Sequence, residues 1–309
     1  MVDAQSTDLP SGADAAIQAW LGPDCPYRVH NASNFSFVYS NFAGYMSVSR
    51  DDSWIIPPGN WARWACPSTL AVDIGAAVGD TSVPIAAAVG RGGAAIAFEF
   101  STAAHLAIVA QSLINEQLHG LHLLPVNLGG SGDDSATGHR RLVHIPTWLQ
   151  TAVPRLLPHL SFVKIDVDGI DVQILETFAA LPQSVRDRLV CKIEWGHPAR
   201  KKGCGRASES IWTAAAALNL TVFGADGDTE FASCRAAQKM AVHKAGPRQR
   251  ARRARGTANL LGTFGGGSLF SDLILLPKKI GHPSERSAHC PTPLTPDVLA
   301  SLPKLPTPA

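Results

Sequence analysis

Five short apolar runs in this chain each end in a carboxylate or a carboxamide: Asp73, Glu99, Asn127, Asp166 with Asp168, and Glu194. Side chains of that kind, placed at strand ends, can accept hydrogen bonds from a ligand's hydroxyl and amino groups or hold a reacting oxygen. The first end carries the most explicit turn, Asp73-Ile74-Gly75-Ala76-Ala77-Val78-Gly79-Asp80-Thr81-Ser82. Gly75 and Gly79 permit a sharp change of direction and a close approach to backbone N–H groups, since no Cβ stands in the way. Pro84 is compatible with the first turn of the helix that must follow.

Glu99 lies at the end of the next apolar run, 26 residues after Asp73. A carboxylate there can accept both hydroxyls of an adenosine ribose and repels a 2′-phosphate. Asn127 could meet the edge of an adenine, or serve as a turn residue ahead of Gly129. NAD and S-adenosylmethionine both present such a ribose, so the turn decides between them. Gly75 to Gly79 lacks the GxGxxG spacing that admits a pyrophosphate at a helix N-terminus, whereas the methionine carboxylate is a smaller anion. S-adenosylmethionine is therefore the expected cofactor, with Asp73, Gly75, Ala76, Gly79, Asp80, Glu99, Phe100 and Asn127 as its candidate binding residues.

Elements must exist that bring these positions to one edge. Apolar runs alternate with helical patterns: strands at 71–74, 94–99, 121–127, 161–166, 189–194, 221–223 and 269–276, and helices beginning at Thr81, Ser101 (as N-cap), Thr147, Ile170 and Ser208. Repeated β-α units imply an α/β fold with a doubly wound, mostly parallel seven-stranded sheet and helices on both faces, a Rossmann-like arrangement. Ahead of it, residues 1–65 read as an N-terminal extension with a short helix at 14–21. An aromatic-rich stretch follows, in which Phe35-Ser36-Phe37-Val38-Tyr39 alternates as a strand would. The main domain is expected over 66–280, interrupted by a basic, Gly-rich insertion over about 225–268. Residues 281–309, with seven prolines after Ile280, read as a flexible tail.

Three motifs in this order and spacing, Asp73-x-Gly75-Ala76-x-x-Gly79-Asp80-Thr81-Ser82, Ala97-Phe98-Glu99 and Lys164-Ile165-Asp166-Val167-Asp168-Gly169, resemble the FkbM-type methyltransferases over roughly residues 70–195. That resemblance implies a class I, S-adenosylmethionine-dependent enzyme, with O-methylation of a hydroxyl on a small molecule or glycan as the expected reaction. It implies Asp73, Gly75 and Gly79 at the methionine end of the donor, Glu99 at the ribose and Asp166 beside the sulfonium. The chain departs from the family at Ala77, where Asn is usual, at Phe100 for Pro, and at Asp168 and Asp171 for Glu. Pro146-Thr147-Trp148-Leu149 stands in place of the usual Thr-Leu-Asp. Asp166, Asp168, Glu194 and His197 are the candidates for positioning the acceptor or removing its proton. The alternative for Asp168 is a helix cap, and for His197 an incidental loop position.

Composition sets the remaining bounds. With 309 residues, 45% apolar and 17% charged, the chain belongs with soluble globular proteins. The first residues show no secretory h-region and no window reaches the roughly 18 apolar residues of a membrane span, so a soluble, cytoplasmic protein is expected. Three N-x-S/T sequons, at Asn31, Asn34 and Asn219, leave the lumen of the secretory pathway open. The six cysteines form no CxxC pair, which argues against zinc, and no metal is expected. The net charge of +2 conceals a basic run, Arg235 to Arg255, with eight Lys/Arg and no acid, leaving 19 bases against 25 acids elsewhere. A macromolecular acceptor, nucleic acid or protein, recruited by that run is one alternative function. A non-catalytic donor-binding scaffold is the other. The run lacks the interleaved aromatics that stack bases.

Overall fold

The computed structural model describes residues 12–22, 25, 27–39, 61–127, 144–167, 170–194, 206–224, 229–237 and 272–303. Its strands are β1 (Arg28–Asn31), β2 (Ser36–Tyr39), β3 (Leu70–Ile74), β4 (Ala94–Glu99), β5 (His122–Asn127), β6 (Leu160–Ile165), β7 (Val190–Glu194), β8 (Leu220–Gly224) and β9 (Asp272–Pro277). The helices are α1 (Ala13–Leu21), α2 (Ser82–Val89), α3 (Thr102–His119), α4 (Ile145–Ala152), α5 (Asp171–Thr177), α6 (Gln183–Arg186), α7 (Arg206–Ala217) and α8 (Pro296–Leu299). Seven strands form one sheet in the order β5-β4-β3-β6-β7-β9-β8, and β1 and β2 make a separate antiparallel pair. The expected Rossmann-like, mostly parallel seven-stranded sheet is therefore present. Its seventh strand, β9, runs antiparallel to both β7 and β8, between which it is inserted.

By internal contacts the chain divides into two units, one of Met1–Val143, Leu149–Phe162 and Pro291–Ala309, the other of His144–Trp148 and Val163–Cys290. In the first, β3, β4 and β5 pair in parallel register, with Asp73 opposite Ala97 and Glu99 opposite Asn127. Every residue of β3 and β4 is buried, as expected of continuous apolar strands with no solvent face. Ser101 caps α3, its side chain accepting from the Ala104 N–H at 3.4 Å, and Gly120 in the left-handed conformation ends it.

The N-terminal extension is fastened to α3 in two ways. Ala13, Ala16 and Ile17 of α1 and Val38 of β2 share an apolar cluster with Ala110 and Ile114 of α3. Two side-chain amides one helical turn apart then act as a surrogate strand edge. Gln111 accepts from the Val38 N–H (3.0 Å) and donates to its carbonyl (2.6 Å), and Asn115 does the same for Ser36 (2.8 Å each). The i, i+4 spacing on the helix meets the i, i+2 spacing on the strand, so four backbone groups of β2 are satisfied without a neighbouring strand. The strand at 35–39 was expected to alternate; instead Ser36, Phe37 and Val38 are all buried, because α3 covers it. The rest of the aromatic stretch, 40–60, lies outside the described residues. Trp61 is buried edge-on against Phe162, ring centroids 5.8 Å apart.

In the second unit β7, β9 and β8 pair antiparallel, Glu194 opposite Asp272 and Val222 opposite Leu275. The start of the basic insertion folds back on β8: the Phe231 N–H donates to the Val222 carbonyl (2.8 Å), and the Trp212 indole of α7 donates to the Phe231 carbonyl (2.9 Å). Of the Arg235–Arg255 run, only 235–237 are among the described residues.

The structure departs from the sequence reading at the C-terminus. A flexible tail was expected from 281 onward, yet 281–303 form a 3-10 helix (Pro283–His289) and α8. Leu294 and Val298 are buried. The Leu294 N–H donates to the Ser68 carbonyl (2.6 Å), and Arg155 pairs with Asp297 (2.5 Å). Arg286 is buried and donates to the carbonyls of Arg188 (2.9 Å) and His289 (3.4 Å). Burial, with Arg188 nearby, lowers its pKa to about 10. The prolines start helices and extended turns here rather than excluding order. Cys66, Cys234 and Cys290 are disulfide-bonded, while the buried Cys191 carries a free thiol.

Candidate functional site

Asp73 sits on β3 with no solvent exposure, and it is built into the start of the next helix. The hydroxyls of Thr81 and Ser82 both donate to its Oδ2, at 2.7 and 2.6 Å. Two donors to one oxygen offset part of the cost of burying this carboxylate. The loop is thereby tied back to the strand it left.

Between strand and helix the backbone takes three left-handed steps, Gly75 (φ 78°), Ala77 (φ 46°) and Gly79 (φ 89°). Contrary to the expectation that ligand would meet the glycine N–H groups directly, the turn uses them internally. Gly75 and Ala76 both donate to the Phe98 carbonyl (3.0 and 3.1 Å), and Gly79 donates to the Ala76 carbonyl (2.8 Å). What the glycines supply is conformation.

Glu99 completes the clamp. Its Oε2 accepts from the Ala77 N–H (2.8 Å), and its Oε1 accepts from the N–H groups of Phe100 and Ser101 (2.7 Å each). One side chain at the end of β4 thus fixes both the β3–α2 turn and the entry to α3. Each carboxylate oxygen has two acceptor directions, so Oε2 keeps one after the bond to Ala77. Beside Glu99 in register stands Asn127, exposed at the end of β5. Phe100 and Asp80 are half-buried on the same loops. His105, on the first turn of α3, was given no role by the sequence reading; burial lowers its pKa while the Glu99 charge acts in the opposite sense.

A second group of charges lies in the other unit, at the ends of β6, β7 and β9. Lys164, 4% exposed, pairs with Asp166 at 3.1 Å. Lys192 pairs with Asp272 at 2.9 Å. Burial by itself would raise the Asp166 pKa, but the Lys164 ammonium, a hydrogen bond from Glu194 and the more distant Lys192 together hold it below its ordinary value. The two lysines were overlooked, although the strands announce them. Lys164-Ile165-Asp166 and Lys192-Ile193-Glu194 repeat the same lysine-x-acid pattern, which puts lysine and acid on one face of a strand.

Asp171, also nearly buried, accepts from the Val167 N–H (2.8 Å) and so holds the loop between β6 and α5. Asp168 and His197 lie outside the described residues. Among the described residues no cluster of three or more His, Cys, Asp or Glu is arranged to hold a metal ion, and no helix is long and apolar enough to cross a membrane.

No protein-family model matches the chain, and no curated protein matches it. Among solved structures it is similar to M. jannaschii TYW2 in complex with AdoMet, at 15% identity over 64% of this chain and 78% of that one, TM-score 0.40. It is also similar to Aeropyrum pernix fibrillarin with natively bound S-adenosyl-L-methionine, at 10% identity over 66% and 79%, TM-score 0.39. A third is precorrin-6y C5,15-methyltransferase from Geobacter metallireducens GS-15, at 14% identity over 58% and 84%, TM-score 0.33. Scores and identities this low say nothing of what the present chain binds.

Proposed function

We propose that the chain is an S-adenosylmethionine-dependent methyltransferase acting on a hydroxyl of a small molecule or glycan. The observation that carries this reading is the Glu99 clamp. A buried carboxylate at the end of β4 holds the β3–α2 turn in place, keeps an acceptor direction, and has Asn127 alongside. These groups fit a ribose and an adenine edge, and a rigid turn five residues from Gly75 to Gly79 suits a carboxylate better than a pyrophosphate. When bound, S-adenosylmethionine supplies an electrophilic methyl group on a good leaving group. Glu99, Asn127, Asp80 and Phe100 are the residues that would hold it, on a turn whose shape Asp73, Gly75, Ala76 and Gly79 set.

Asp166 is assigned to orienting the acceptor. A carboxylate held below its ordinary pKa is a weak base, and general-base work favours a group that titrates near the working pH. The same depressed value makes Asp166 a dependable hydrogen-bond acceptor for a substrate hydroxyl. Glu194, hydrogen-bonded with Asp166, helps hold that carboxylate in turn. Positioning is the larger contribution in a reaction whose leaving group is already good.

The test is calorimetric titration of the whole chain with S-adenosylmethionine and, separately, with NAD, on wild type and Glu99→Gln. Wild type should bind the methyl donor and not NAD. Glu99→Gln removes one charge-assisted acceptor and weakens donor binding about tenfold or more. Binding of NAD with no response to S-adenosylmethionine would overturn the reading.

A further inference from the structure

Two unrelated features of this chain agree on where it matures. Cys66, Cys234 and Cys290 are disulfide-bonded, and disulfides persist in oxidising compartments while cytosolic thiols are kept reduced. Of the three sequons, Asn34-Phe35-Ser36 and Asn219-Leu220-Thr221 place their asparagines exposed on turns. Asn34 lies at the tip joining β1 to β2, and Asn219, in the left-handed conformation (φ 60°), on the turn joining α7 to β8. A glycan is bulky and hydrophilic and needs an exposed turn. Asn31 is exposed too, but its side-chain oxygen accepts from the Ser36 hydroxyl (2.8 Å). The free thiol at Cys191 does not contradict an oxidising setting: it is fully buried, and burial pushes its pKa up to about 12, so it is protonated and inert.

We propose that the chain folds in the lumen of the secretory pathway and carries N-linked glycans at Asn34 and Asn219. In that modification each Asn Nδ2 forms a bond to the anomeric carbon of an oligosaccharide. The bond from that carbon to a lipid pyrophosphate carrier breaks, and the amide gives up one proton. Each disulfide forms as two thiols release two protons and pass two electrons to the compartment's thiol–disulfide oxidants. The proposal is independent of the methyl-transfer reading and stands or falls separately.

To test it, the full chain is isolated from the cells that make it, free thiols are blocked without reduction, the chain is cut to peptides by a protease, and the glycans are then released by peptide-N-glycosidase in heavy-oxygen water. Mass spectrometry should find heavy-oxygen aspartate at positions 34 and 219, and Cys66, Cys234 and Cys290 unblocked until reductant is added. Asn34→Gln and Asn219→Gln, both at exposed positions, should each remove one glycan-sized step on a gel. Unmodified asparagine at both positions, or Cys66 blocked before reduction, overturns the proposal.

Discussion

Carboxylates stand at the strand ends of both units, but their partners differ. Asp73 and Glu99 are held by neutral donors, two hydroxyls for the first and three backbone N–H groups for the second. Asp166 and Asp272 are held by lysines. Neutral donors fixed in the backbone build a shape, and what they stabilise is one conformation of a turn. Ion pairs build a potential, and what they stabilise is one protonation state. The first arrangement suits recognition of a ligand that does not change charge where it is gripped. The second suits a group that must stay ionised in a half-buried place.

Asp73→Ala breaks the first arrangement at its deepest point. It strands two buried hydroxyls and frees the start of α2, and we expect a loss of about 3 to 5 kcal/mol in unfolding free energy by denaturant titration. Asp73→Asn keeps an oxygen acceptor and should recover about half of that. Equal losses in the two variants would show that charge, rather than acceptor geometry, holds the turn, and the contrast between the units would disappear.

The contrast was only half visible in the sequence. Both the glycine turn and the terminal acids could be placed, because apolar runs with acids at their ends mark strands irrespective of tertiary context, and Ser101 announced its helix as a cap should. What escaped were features that depend on partners distant in sequence. Nothing local says that Gln111 and Asn115, on a helix, will serve as a strand edge for Ser36 and Val38 79 and 73 residues away. Nor does a proline-rich segment reveal that Leu294 will find the Ser68 carbonyl. Lys164 and Lys192 are legible as charges inside apolar strands, but the pairing of Lys192 with Asp272, 80 residues away, is not. The internal use of the Gly75, Ala76 and Gly79 N–H groups follows from the Phe98 carbonyl and the turn's own Ala76 carbonyl, a geometry that spacing alone does not contain.

Lys164→Met tests the second arrangement with a smaller effect. The fully buried limit for breaking such a pair is about 3 to 5 kcal/mol, but Asp166 is more than a third exposed, so solvent screening reduces the expected loss to about 1 to 2 kcal/mol. The pH dependence is the sharper readout. Because Asp166 is held below its ordinary value of 3.8, its contribution is complete above that value and is lost as pH falls through the folded-state pKa. Wild type should lose stability on acidification between about pH 5 and pH 2 more steeply than Lys164→Met does. Parallel curves would mean that the lysine packs in the strand without setting the charge of Asp166.

The smallest expected effect concerns Ala77, the one non-glycine among the three left-handed positions of the turn. A Cβ in that conformation costs about 1 to 2 kcal/mol, which the Glu99 bond to the Ala77 N–H must offset. Ala77→Gly removes that cost but adds about 0.4 to 1 kcal/mol of unfolded-chain entropy to be lost on folding. The net expectation is a gain of about 0.5 kcal/mol, visible as a rise of about 1 to 2 °C in melting temperature. Its neighbour Ala76 is buried and has no positive φ, so Ala76→Gly carries the entropy cost and loses a buried methyl, and the melting temperature should fall. Opposite signs at adjacent alanines would show that the turn stores strain at one residue and that Glu99 is what holds it there. If both variants are destabilised, the left-handed step at Ala77 is relaxed, and the rigidity of the turn must come from Asp73 and its two hydroxyls alone.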